Sequence, residues 1–273
     1  MLLRQGTTTS SDGTSIAFVE TGEPSQPPII FIHGYLFSTD AFERQIESSL
    51  GSSFRLVALD LRGHGNSGKP EASSAYQDAS LWADDVEVVL NELDIERALL
   101  VGWSLGSRVA LNYAWCKGFE RIAGMNLVAA TLATTAHDAS GGLTQDLRNL
   151  LSLSKPERED ATRYFLKLCG APTLDLAAEE HFLDMAMRVP PTARLGARSW
   201  MLPYDDTLSW VTVPTMITHG ESDPVVAEAL SRSHVAAIPG ARLDITPDAG
   251  HLAFFQNPEV FNQRLRSFAR EVF

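Results

Sequence analysis

Short apolar runs rich in β-branched residues recur along this chain, and they constrain its fold more than any other feature. They are IIFI (29–32), LVALD (56–60), ALLVG (98–102), IAGMNLV (122–128), TMITHG (215–220) and ARLDIT (241–246). A strand with one wet face would alternate apolar and polar residues; most of these runs do not. Continuous apolarity of this length suits a parallel sheet covered on both faces. SIAFVE (15–20) alternates better and reads as an edge strand.

Helical patterns separate the runs. In LWADDVEVVLNEL, Trp82, Val86, Val89, Leu90 and Leu93 share one face. Near the C-terminus, Asn257 is placed to cap a helix that Pro258 opens, and Phe261, Leu265, Phe268 and Val272 form its apolar stripe. Strands alternating with helices predict an α/β fold with a doubly wound, mostly parallel sheet. The rhythm breaks from 131 to 207, which contains LTQDLRNLLSL, PEREDATRYFLKL and AEEHFLDMAMR. Three helical patterns inserted between two sheet strands predict a helical cap. Residues 1–130 and 208–273 then form the core domain, and 131–207 the cap.

The 273 residues suffice for one large domain with an insertion. A net charge of −12 argues against nucleic acid, which demands clustered Lys and Arg. Cys116 and Cys169 lie in mostly apolar stretches and read as buried free thiols; no Cys or His spacing suggests a metal site. The segment MLLRQGTTTSSDGTS lacks the features of a signal peptide, and no apolar run is long enough to span a bilayer. The expectation is a cytoplasmic protein with no membrane partner. Its oligomeric state is left open.

GWSLG (102–106) sits between the run ALLV and the helical SRVALNYAW. A five-residue G-x-S-x-G pattern occurs by chance, but this one lies where a strand gives way to a helix. Such a turn exposes Ser104 at the C-terminal edge of a sheet. It also requires Gly102 and Gly106 to be small where strand and helix nearly touch. A serine hydroxyl needs a base, and the base needs an orienting acid. His251, in the loop PDAGHLAFFQNP, is the expected base, and Asp223, in THGESDPVV, the expected acid. The stretch after IAGMNLV offers no competing carboxylate. Acyl transfer also needs oxyanion donors: the backbone N–H groups of Leu105, after the nucleophile, and Tyr35, in FIHGYLFSTDAF. His33, His64, His137, His181, His219 and His234 fit the base role less well. Trp103 is a candidate for contact with substrate or cap. Phe165, Leu168, Phe182, Met185 and Met187 are candidates for lining the pocket or for cap core.

Five segments in this order resemble the α/β-hydrolase superfamily: HGYLFS (33–38), DLRGHGNSGKP (60–70), GWSLG, HGESDPVV (219–226) and GHLAFFQNPEVF (250–261). The chain looks like the small, cofactor-free, capped esterases and lactonases of that superfamily. The resemblance implies a small-molecule ester or lactone substrate, an acyl-enzyme on Ser104 and no metal or organic cofactor. Epoxide hydrolases and haloalkane dehalogenases are similar in outline but carry Asp where Ser104 stands. C–C bond hydrolysis of a diketone, acyl transfer and perhydrolysis use the same three residues. A small-molecule receptor of the same fold is the reading from a different class.

Overall fold

The computed structural model describes residues 3–132, 145–170, 174–199 and 207–273. Strands β1 (Arg4–Thr9), β2 (Ser15–Thr21), β3 (Pro28–Ile32), β4 (Arg55–Leu59), β5 (Ala98–Trp103), β6 (Ile122–Val128), β7 (Thr215–Gly220) and β8 (Arg242–Thr246) form one sheet. Their order is β1-β2-β4-β3-β5-β6-β7-β8. β2 runs antiparallel to both neighbours, and the pairs from β4 to β8 are parallel. The central strands β3, β5 and β6 are almost wholly buried, as their unbroken apolarity predicts.

One expectation about this sheet fails. β2 is not an edge strand, because β1 covers it. The segment RQGTTT has no apolar residue to signal a strand, and its register is fixed by backbone pairing with β2, from Arg4↔Glu20 to Thr9↔Ser15. Its threonines favour the extended chain.

The described helices are α1 (Glu43–Ile46), α2 (Ala79–Glu92), α3 (Leu105–Lys117), α4 (Gln145–Arg148), α5 (Lys155–Gly170), α6 (Leu176–Met187), α7 (Pro191–Gly196), α8 (Glu228–Ala237), α9 (Ala253–Gln256) and α10 (Pro258–Val272). Asp78 caps α2 by accepting the Ser80 N–H. α10 buries the expected stripe of Phe261, Leu265, Phe268 and Val272. Asn257 does not cap it with its side chain; the amide instead donates to the Pro247 carbonyl (3.1 Å), tying the preceding loop to the helix.

Between β6 and β7 the described residues form helices and no strand. Part of that stretch lies outside the described residues, including His137, the start of LTQDLRNLLSL and Ala171 and Pro172 of the GAP break. Cys169, near the end of α5, is buried. Cys116 is exposed, contrary to expectation, because it lies on the outer face of the last turn of α3, between the exposed Trp115 and Lys117. No described helix is long and apolar enough to cross a membrane.

Candidate active site

The turn at Ser104 is built by close approach of backbones. A Cβ on Gly106 would lie 2.0 Å from the Ile32 carbonyl oxygen, and one on Gly102 would lie 2.4 Å from the Gly106 carbonyl oxygen. Neither position admits any other residue without moving β3, β5 or α3. Ser104 itself has φ 52° and ψ −112°, a left-handed conformation that a non-glycine residue adopts only when its surroundings force it. Its N–H donates to the Val128 carbonyl (2.9 Å) and its carbonyl accepts the Ser107 N–H (3.0 Å). The side chain is partly exposed in an otherwise buried segment.

Asp223 and His251 come together although 28 residues separate them. His251 Nδ1 donates to Asp223 Oδ2 at 2.9 Å, and both side chains are buried, at 1% and 0% exposure. Two backbone bonds dock the two loops, and a third closes the turn that carries Asp223. Glu221 N–H donates to the Thr246 carbonyl (3.0 Å), Ser222 N–H to the Ala249 carbonyl (2.9 Å) and Asp223 N–H to the Gly220 carbonyl (3.1 Å). Burial alone pushes the Asp223 carboxyl up. The His251 imidazole and the N–H groups of Val226 and Val225 outweigh it, so the carboxyl sits below its ordinary range. An ionised acid on Nδ1 leaves His251 Nε2 as the ring's basic atom.

The oxyanion candidates stand at neighbouring strand ends. β3 and β5 pair in parallel, with Ile32 opposite Gly102, so the loop 33–36 leaves the sheet beside the Ser104 turn. Leu105 opens α3, and N–H groups in the first turn of a helix have no intrahelical acceptor. Leu36, next to Tyr35, has φ 70°, so this loop too is held in a strained shape. His33 locks it: Nδ1 lies 2.8 Å from the Gly34 carbonyl oxygen and Nε2 accepts the Leu61 N–H (3.0 Å). Burial brings the His33 imidazole down to about 4, so it is neutral and holds the loop at physiological pH.

Residues 27–258 match the family described as alpha/beta hydrolase fold. The chain belongs to that family. A solved structure of a Burkholderia cenocepacia protein assigned as an aryl esterase has a TM-score of 0.93, with 32% identity over 98% of this chain and 99% of that one. The pimeloyl-acyl-carrier-protein methyl ester esterase of Edwardsiella ictaluri is 29% identical over 93% of this chain and 98% of its own length. The non-heme chloroperoxidase of Streptomyces lividans is 26% identical over 97% of this chain and 99% of its own length.

Trp103 in this hydrolase is packed into the core beside the Ser104 turn. It is 1% exposed, its ring packs on Phe37 and Phe254, and its Nε1 donates to the His251 carbonyl (2.9 Å). It thus ties the residue before Ser104 to the residue proposed as base. The other described histidines are engaged elsewhere. His64 Nδ1 lies 3.0 Å from the Arg62 carbonyl oxygen, His219 Nδ1 2.9 Å from Ser231 Oγ, and His234 Nε2 2.9 Å from the Leu132 carbonyl oxygen. His181 is exposed on α6, 3.6 Å from Asp40. Phe182 clamps α6 to the core between Phe37 and Phe255, and Phe165 meets the Tyr35 ring edge-on.

Two features of the hydrolase carried no sequence signal. The Tyr35 phenol donates to the Arg194 carbonyl (3.1 Å). Burial raises this phenol to about 12, so it is a neutral donor across the physiological range. Arg194 is fully buried, and no carboxylate among the described residues lies within ion-pair distance of it. Its guanidinium donates to the carbonyls of Val189 (3.0 Å), Leu150 (3.2 Å) and Ala186 (2.7 Å) and to Thr162 Oγ1 (3.0 Å). Burial without a counter-charge brings it down to about 10, so it still carries its charge at neutral pH.

Proposed function

We propose that this hydrolase cleaves a carboxylic ester or lactone of a small molecule through an acyl-enzyme on Ser104. His251 Nε2 takes the Ser104 proton as Oγ attacks the substrate carbonyl carbon. The N–H groups of Tyr35 and Leu105 hold the resulting oxyanion. The carbon–oxygen bond to the alcohol then breaks, and His251 returns the proton to the leaving alkoxide. In the second half, His251 takes a proton from water, the hydroxide attacks the acyl-enzyme, and the carboxylic acid leaves as Ser104 is reprotonated. Asp223 stays ionised, fixes the imidazole and stabilises its charged form. Residues 131–207 form a lid that roofs the pocket and selects the acyl group.

The observation that carries this reading is the buried 2.9 Å bond between Asp223 and His251, formed on loops at the sheet edge that presents the strained Ser104. The similarity to two esterases over nearly the whole chain supports it. The similarity to the Streptomyces lividans chloroperoxidase favours one second reading, in which hydrogen peroxide replaces water and releases a peracid.

The test is a panel of 4-nitrophenyl esters of graded acyl length, with lactones, run on wild type and Ser104→Ala. Multiple turnover by wild type and a loss of more than about 10³-fold in kcat for the variant is the expected result. Wild-type rates in Ser104→Ala would refute the reading. Peracid formation in the presence of hydrogen peroxide, measured by halide oxidation, separates the second reading from the first.

A further inference from the structure

Tyr35 belongs to two structures at once. Its backbone lies in the strained loop beside Ser104, with Leu36 at φ 70° immediately after it. Its side chain leaves that loop and reaches α7, where the phenol donates to the Arg194 carbonyl at 3.1 Å. Arg194 is also where the helices between β6 and β7 converge. Its guanidinium binds Leu150, Thr162 in α5, Ala186 in α6, and Val189. The carbonyl that receives the phenol therefore stays in place only while those helices remain gathered around the same residue's side chain.

We infer that Tyr35 is a latch between lid and oxyanion hole: the hydrogen bond from its phenol to the Arg194 carbonyl fixes the peptide whose N–H faces the developing oxyanion. The inference rests on the proposed function, which makes that N–H an oxyanion donor. The phenol is a positioning group and touches no reacting atom. A non-glycine residue with positive φ stores strain that relaxes when its restraint is released, and Leu36 provides that tendency next to the donor. The lid would then set the rate of the chemical steps as well as admitting substrate. Acylation and deacylation both pass through the oxyanion, so kcat registers the latch whichever step limits turnover.

The test is Tyr35→Phe, which keeps the ring against Phe165 and removes only the phenol hydroxyl. With 4-nitrophenyl acetate as probe, kcat is expected to fall about 10-fold or more while KM changes less than about 3-fold, because a misplaced donor is felt mainly in the transition state. Arg194→Lys, which cannot hold the same set of carbonyls, should lower kcat in the same way. The double variant should lose little beyond the larger single loss, since both act through one contact. A Tyr35→Phe enzyme with wild-type kcat, even at a lowered Tm, would overturn the latch, and so would fully additive losses in kcat. Should Arg194→Lys fail to fold, the Tyr35→Phe result decides alone. Ser104→Ala is assayed alongside. If it stays active, the proposed function itself has failed; if it is dead and Tyr35→Phe is unimpaired, only the latch has.

Discussion

The Ser104 turn and the helices around Arg194 face the same task by opposite means: each must hold backbone segments from distant parts of the chain in register. At the turn, two glycines let β3, β5 and α3 approach until a single Cβ would collide with a carbonyl oxygen. Between β6 and β7, one buried guanidinium fills the space between helices and donates to three carbonyls and a threonine hydroxyl. The first arrangement has no slack, because a steric overlap at 2.0 Å with backbone cannot be relieved by a rotamer change. The second is polar and divided among several bonds, so it can be weakened in steps. The rigid device thus lies under Ser104, and the divisible one among the helices between β6 and β7.

The sharpest break of this comparison is Gly106→Ala. Its Cβ would enter the Ile32 carbonyl, and the expected cost exceeds about 3 kcal/mol, with loss of the cooperative thermal transition or a large drop in Tm. Arg194→Met should cost less, about 2–3 kcal/mol from carbonyls left unpaired. Limited proteolysis should locate its damage between 145 and 199, with the sheet intact. A whole-chain collapse in Arg194→Met matching that of Gly106→Ala would show that the two regions are not separable.

A pH series sharpens the comparison from the core side. His33 is brought down by burial to about 4, below the unfolded value of 6.5. The folded state therefore binds fewer protons, so this stabilisation is complete above pH 6.5 and is lost as pH falls toward 4. By pH 5 His33 alone should remove about 2 kcal/mol, and His64, also lowered by burial, acts in the same direction. Asp223 is shifted below its ordinary range, so its contribution is lost only below about pH 4. Urea midpoints at pH 7 and pH 5 should show the fall, and His33→Asn should flatten it. The smallest expected effect is that of Trp103→Phe. It deletes the bond to the His251 carbonyl, worth about 1 kcal/mol, and should lower kcat several-fold at constant KM.

Much of the sheet and of the candidate site is legible in the sequence because both depend on local residue identity. Buried parallel strands need unbroken apolar runs, and the tight turn at Ser104 needs glycine on either side. β1 escapes such reading because its order comes from backbone pairing with β2, and RQGTTT shows no apolar pattern. Cys116 is exposed against expectation because an apolar neighbourhood does not say which face of α3 a residue occupies. Trp103 and Arg194 are illegible for another reason. Their roles lie in bonds to backbone carbonyls that are remote or that no side chain announces: His251 lies 148 residues from Trp103, and Leu150 lies 44 residues from Arg194.

Covalent trapping asks whether Ser104 carries the acyl group. Wild type and Ser104→Ala are treated with a phosphonate ester that stays on an activated serine, and the adduct is mapped by peptide mass spectrometry. One stoichiometric adduct on Ser104, parallel loss of esterase activity and no labelling of Ser104→Ala are expected. Full activity in a protein that takes up no label, or an inactivating adduct on another residue, would contradict an acyl-enzyme on Ser104.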